Sequence, residues 1–216
     1  MIDDLSDKEQ IELFKKWWKQ YGWGLLFAIL LGLSLGYGWR YWHQHQAERN
    51  MQASSLYMQL VATKDSSSDK AKEIVALLNQ RYHATPYASF AHLFLAKQEV
   101  TGEHYAKAMD QLTWVQEHGS MEALKNLASL RKARILLNNH HYEKALTELT
   151  AVKGDDYQGQ VALIQGDIYA AQGKDEQARK AYRQAQASLS KLGVSDPILG
   201  MKLIQLGETV SAQGDA

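Results

Sequence analysis

Between Gln20 and Trp39 the chain runs for 20 residues without a charge. As a helix that stretch is about 30 Å long, the hydrocarbon thickness of a bilayer. Five of the six tryptophans fall between Trp17 and Trp42. Trp17, Trp18, Tyr21 and Trp23 stand at one edge of the run and Trp39, Tyr41 and Trp42 at the other, as aromatic belts do at the two membrane interfaces. Two rival readings are weaker. A buried core helix seldom carries tryptophans at both ends. A cleavable signal peptide would be shorter and end in small residues, whereas this run ends in Gly36-Tyr-Gly-Trp-Arg40. The expectation is an uncleaved transmembrane signal anchor over 20–42.

Lys15, Lys16 and Lys19 crowd the N-terminal flank, with Lys8 further out, against Arg40 and Arg49 beyond the run. That bias favours a cytoplasmic N-terminus. Asp3, Asp4, Asp7, Glu9 and Glu12 count for little in the rule. Residues 1–19 are then a cytoplasmic segment, 43–210 an exported domain in the periplasm of a bacterium with an inner membrane, and 211–216 a tail. Ser6-Asp-Lys-Glu9 has capping-box spacing and should start a helix. Ile11, Phe14, Trp17, Trp18 and Tyr21 form an apolar stripe suited to the interface. Within the span, Ala28, Gly32 and Gly36 recur every four residues, a spacing at which a second membrane helix can approach closely.

The remainder reads as helical repeats. Two prolines in 216 residues, Pro86 and Pro197, leave helix possible almost throughout. A tetratricopeptide-like unit is a pair of helices in about 34 residues. The clearest spans 159–192, with Gly166, Tyr169, Ala178, Tyr182 and Ala185 at unit positions 8, 11, 20, 24 and 27 and a turn at Gly173-Lys-Asp175. Gly166 and Ala178 should let the backbones touch while Tyr169 and Tyr182 pack over the crossing. Ala133, Leu136, Ala145, Leu149 and Val152 repeat the spacing upstream, with a turn at Asn138-Asn-His-His141. Ala96, Ala108, Leu112 and Val115 repeat it again, with a turn at Gly102-Glu-His104. The first unit is weaker: Glu48–Thr63, continuous with or separate from the membrane helix, then a polar loop at Lys64–Asp69, then Ala71–Leu78. Asp196-Pro197 starts a last helix whose Ile198, Met201, Leu203, Ile204 and Leu206 can cover the open face. The fold class is all-α: a transmembrane helix followed by an α-solenoid of about four tetratricopeptide-like hairpins with a C-terminal capping helix.

Chemistry is sparse. Lys+Arg and Asp+Glu both number 24, so nothing draws the chain toward nucleic acid. There is no cysteine, which removes disulfides, thiolate metal sites and a cysteine nucleophile. His43/His45 and His140/His141 do not place two rings on one helix face, and no carboxylates accompany them, so they read as surface histidines and no metal is expected. Ser66-Ser-Ser68 lacks a nucleophile elbow. Gly173-Lys174 lacks the rest of a phosphate loop. Asp155-Asp156 reads as a solvated turn. No cofactor, small-molecule substrate or enzymatic role is expected. What remains is surface: the first helix of each hairpin should line a groove, with Phe90, Lys97, Arg134, Asn138 and Asp167 facing an extended peptide or a partner's tail.

Gly38-Trp-Arg-Tyr-Trp42 beside the span resembles the juxtamembrane stretch of the YfgM family, the ancillary subunits of the SecYEG translocon. Asn126-Leu-Ala-Ser-Leu-Arg-Lys-Ala-Arg134 resembles that family's third hairpin. Val152-Lys-Gly-Asp-Asp-Tyr157, Gly166, Gly173-Lys174 and Ala178-Arg179 resemble its fourth. The resemblance runs from the anchor to about residue 190 and does not extend to the acidic start or past Gly193. It implies an adaptor of the protein-export channel, linking it to a membrane-anchored periplasmic chaperone of the prolyl-isomerase type. The alternatives are a cell-envelope scaffold with no role in export and a cytoplasmic regulator of the opposite topology.

Overall fold

The structure, a computed structural model, describes residues 7–63 and 68–207, without the side chains of 7–10, 13 and 14. The expected capping box at Ser6–Glu9, Phe14 of the interfacial stripe, most of the loop at 64–69 and the tail at 211–216 lie outside the described side chains. The chain divides into two units, Met1–Met51 and Gln52–Ala216.

The first unit belongs to α1 (Asp7–Ala62), a helix of 56 residues that also supplies the start of the second. Among the described residues it is the one helix long and apolar enough to cross a membrane. Leu25, Phe27, Leu30, Leu33 and Leu35 point to different sides of a helix turning about 100° per residue, and all are exposed. So much apolar surface open on every side suits lipid and not the core of this chain. Ser34 Oγ donates to the carbonyl of Leu30 (2.8 Å), so it brings no unpaired hydroxyl into the span. At the edges, Trp17 packs against Tyr21 (centroids 6.1 Å apart), and Trp39 lies near Trp42 (6.0 Å) and His43 (4.6 Å).

In the second unit the end of α1 is followed by α2 (Asp69–Arg81), α3 (Pro86–Thr101), α4 (Tyr105–His118), α5 (Glu122–Asn138), α6 (Tyr142–Leu149), α7 (Gln158–Ala171), α8 (Asp175–Lys191) and α9 (Pro197–Gln205), with a 3-10 turn at Asp155–Tyr157. Ser68 belongs to the helix and not to the loop: its Oγ caps α2 by accepting from the Ala71 amide (3.3 Å).

Four apolar clusters form the core, each shared by consecutive helices. Ala53 and Leu60 of α1 meet Ala71, Ile74 and Leu78 of α2 and Ala88 and Ala91 of α3. Leu93 and Ala96 meet Ala108, Leu112 and Val115 of α4 and Ala128 and Ile135 of α5. Leu130 and Ala133 meet Ala145 and Leu149 of α6 and Ile164 and Ile168 of α7. Ala162 meets Ala178, Tyr182, Ala185 and Leu189 of α8 and Leu199 and Leu203 of α9. Ala108, Ala145 and Ala178, the residues with matching spacing, are fully buried. A methyl side chain at those points lets the helix axes approach to about 8 Å.

Two expectations about packing are corrected. Gly166 does not serve a backbone contact: a Cβ there would stand 2.4 Å from two carbons of the Tyr182 ring, so the ring occupies the space. Gly159 does the same for Leu189, at 2.8 Å. In α9 the inward residues are Leu199 and Leu203, whereas Ile198, Met201 and Ile204 are exposed. Asp196 starts that helix as expected, its Oδ1 accepting from the Ile198 amide (3.0 Å).

The three hairpin turns are superimposable in dihedral terms although their sequences differ. Glu103, His140 and Gly173 hold φ of 60°, 59° and 70°. In each, the next residue's amide reaches back to close the helix: His104 to the Glu99 carbonyl (2.8 Å), His141 to Leu136 (2.8 Å), Lys174 to Tyr169 (2.9 Å). Only the third turn places glycine at the left-handed position; in the first, Gly102 sits one residue early, at φ −85°. An L residue held there costs about 1 kcal/mol. Glu103→Gly is therefore expected to raise the unfolding free energy by about 1 kcal/mol, and Gly173→Ala to lower it by a similar amount. Urea titration of the full chain in neutral detergent, followed by circular dichroism, measures both.

Candidate partner-binding groove

Lys97 of α3 and Arg134 of α5, which the sequence assigns to one face, line the same open cavity of about 270 Å³. Both are exposed. Its floor is apolar, from Ala96, Leu112 and Ile135, and its rim includes Arg131. Arg131 was missed by the sequence reading, although it precedes Arg134 by three residues, the spacing that puts both on one side of α5. Asn138 stands one turn further along α5 and is exposed, its Nδ2 lying 3.5 Å from the Tyr105 hydroxyl. Phe90 lies two turns before Lys97 on α3, half-buried against Tyr57 and edge-on to Tyr87 (centroids 5.9 and 5.7 Å).

Asp167 is elsewhere. Its Oδ1 accepts from the Tyr182 hydroxyl of α8 (2.7 Å) and pairs with Lys202 of α9. Lys202 also lies over the Tyr182 ring, 5.5 Å from its centroid. Burial, then the hydrogen bond and charge of Asp167, push the Tyr182 phenol above its ordinary value. The carboxylate thus ties three helices together at the end of the stack. In α1, Ala28, Gly32 and Gly36 are exposed, and a Cβ on either glycine would meet no atom within 4 Å.

Three polar groupings, two buried and one largely so, are not legible in the sequence. Asn126 is 2% exposed; its Nδ2 donates to the Lys153 carbonyl (2.7 Å) and its Oδ1 accepts from the Lys153 amide (3.0 Å). That clasp holds the segment after α6, a helix of only eight residues. Lys132 of α5 and Glu148 of α6 form an ion pair at 3.4 Å with side chains 12% and 17% exposed, joined by Gln116 of α4, which also donates to Ser129 (2.7 Å). His92 of α3 is 5% exposed, set between Gln111 (2.6 Å) and Asn79 (3.1 Å) and stacked on Trp114 with centroids 3.8 Å apart.

Burial holds the His92 imidazole down at about 4, against a pull upward from Gln111 and a smaller push downward from His118. The native state therefore favours neutral His92. Its contribution is complete above the unfolded value near 6.5 and is lost as pH falls toward 4, by up to about 3 kcal/mol. Between pH 7 and 4 the His92→Gln variant is expected to lose about 2–3 kcal/mol less stability than the unsubstituted chain, in parallel urea titrations.

Among the described residues no group of three or more His, Cys, Asp or Glu side chains is placed to hold a metal. Paired helices with small residues at their crossings define a tetratricopeptide-repeat-like protein; the family described as tetratricopeptide repeat-like domain matches residues 15–208. The ancillary SecYEG translocon subunit of Haemophilus influenzae is 31% identical over 89% of this chain and 94% of its own length. That of Neisseria gonorrhoeae is 30% identical over 95% of this chain and 100% of its own. That of Escherichia coli is 31% identical over 82% and 85%. The chain belongs to the family of ancillary SecYEG translocon subunits, the YfgM family. No solved structure matches it.

Proposed function

We propose that this protein is a non-enzymatic adaptor of the SecYEG translocon, held in the bacterial inner membrane by residues 20–42 and carrying partner proteins on its helical repeats. The observation that carries the reading is the match, over nearly their whole lengths, to relatives named as ancillary subunits of that channel. The exposed apolar stretch of α1 supplies the anchor, in contact with the lipid bilayer. The lysines before the span support a cytoplasmic N-terminus and a periplasmic domain over 43–210. The face bearing Lys97, Arg134, Asn138 and Phe90 is the proposed docking groove, with Asp167 bracing the end of the stack. Ala28, Gly32 and Gly36 offer the close-packing side to a channel helix. The groove's partner is a membrane-anchored periplasmic chaperone of the prolyl-isomerase type.

The test is a mild-detergent pull-down of the tagged full-length protein from its own membranes, with bound proteins identified by mass spectrometry. Channel subunits together with a periplasmic chaperone are expected. Intact, membrane-bound protein that captures neither would sink the adaptor reading. A C-terminal alkaline phosphatase fusion tests topology: activity is expected, and its absence would place the repeats in the cytoplasm.

A further inference from the structure

Lys97, Arg131 and Arg134 share a cavity rim, yet among the described residues none of them makes an ion pair. Two other charges of α5 are matched, Lys132 by Glu148 and Glu122 by Lys153. Three cations thus line one cavity, with no carboxylate among its lining residues, in a chain whose total charges balance. Arg131 is only half-exposed, and burial together with the charge of Arg134 lowers its guanidinium below the ordinary value. A partly desolvated cation beside a second, exposed one is unfavourable until an anion joins them.

Beneath these cations lie Ala96, Leu112 and Ile135, almost wholly buried, and Val100, 38% exposed, adds the apolar surface open to a ligand. A volume of about 270 Å³ accepts one aliphatic or aromatic side chain. A simple inorganic anion would leave that floor empty. The cations stand on both sides of it, Lys97 on α3 and the two arginines on α5. An extended chain turns alternate side chains to one face about 6.8 Å apart. It can seat an apolar residue at the centre and carboxylates two positions away on either side.

We propose that this groove binds an acidic, extended protein segment, with one apolar side chain on Ala96, Leu112 and Ile135 and flanking carboxylates on Lys97, Arg131 and Arg134. The inference rests on the reading of the repeats as a partner-binding surface and gives that partner its chemistry. Guanidinium groups suit the task because each can meet a carboxylate with two parallel hydrogen bonds.

The probe is a fluorescein-labelled peptide of about nine residues with one central Leu and Glu at alternate positions around it. Anisotropy titrations use the full-length protein in neutral detergent at about 50 mM salt, where screening is modest. Two control peptides replace every Glu by Lys or the Leu by Ser. The acidic Leu peptide is expected to bind at least about tenfold tighter than either control. Arg131→Gln combined with Arg134→Gln is expected to weaken it about tenfold or more, with the circular dichroism spectrum unchanged. Equal affinity for the Lys peptide, no dependence on the Leu, no loss in the double variant, or no binding of the acidic peptide would each overturn the proposal. The assay contains no channel. Its failure removes the acidic-segment inference alone, and the adaptor reading stands or falls by the pull-down.

Discussion

Replacing Glu148 by Leu is expected to destabilise the protein by about 3 kcal/mol, while replacing Lys132 by Met and Glu148 by Leu together costs less than about 1 kcal/mol. The asymmetry follows from burial. Both side chains are largely out of water, and each satisfies the other across 3.4 Å between α5 and α6. Removing the carboxylate leaves the Lys132 ammonium with Gln116 alone, at 2.5 Å, and a buried charge with only a neutral partner is costly. Removing both charges leaves an apolar contact beside Leu149 and Ala133, which the core already provides. Urea titrations of the four members of the cycle measure the coupling. Additive losses would mean that the pair behaves as a surface ion pair, worth at most about 1 kcal/mol.

The second large effect is at Gly166. Gly166→Ala is expected to cost about 2–4 kcal/mol, because the new methyl overlaps the Tyr182 ring. A Cβ would stand 2.4 Å from two of its carbons. The ring cannot swing aside freely, since its hydroxyl donates to Asp167 (2.7 Å) and Lys202 lies over its face. Gly200→Ala is the control. It lies in α9 with no atom within 4 Å of a new Cβ, so the substitution is expected to raise stability by about 0.5–1 kcal/mol through helix propensity. Adding Tyr182→Leu to Gly166→Ala should recover part of the loss. Equal midpoints for Gly166→Ala and the unsubstituted protein would contradict the packing described here.

Small residues made the repeats legible. Ala108, Ala145 and Ala178 are fully buried where helices meet, and that demand for small side chains shows in one dimension as a spacing. The span was legible for a similar reason, as bilayer thickness translates directly into residues. The face of α9 was not. Ile198, Leu199, Met201, Leu203, Ile204 and Leu206 surround that helix with apolar side chains, so its periodicity offers no contrast to choose between sides. Nor was the left-handed residue at Glu103, since it is counted from the helix end and that end moves by a residue in any sequence reading.

The polar interior was hidden for a deeper reason. His92, Asn126 and the Lys132–Glu148 pair find their partners on other parts of the chain: Asn79 and Gln111, the backbone of Lys153 after α6, and Gln116. In the sequence each is one more hydrophilic residue. Of the groove residues, Lys97 and Arg134 share a cavity, but Asp167 could be told from a surface carboxylate only once Tyr182 and Lys202 were seen around it.

Each core cluster is assembled from helices adjacent in the chain, the longest reaches being Leu93 to Ile135 and Ala162 to Leu203. No early helix waits for a late one to bury its apolar face. A polypeptide of this kind can complete its first cluster once α3 is available and add the others one hairpin at a time, from the N-terminus onward. Contacts so local close few long loops, and they leave little unpaired apolar surface at any stage of synthesis.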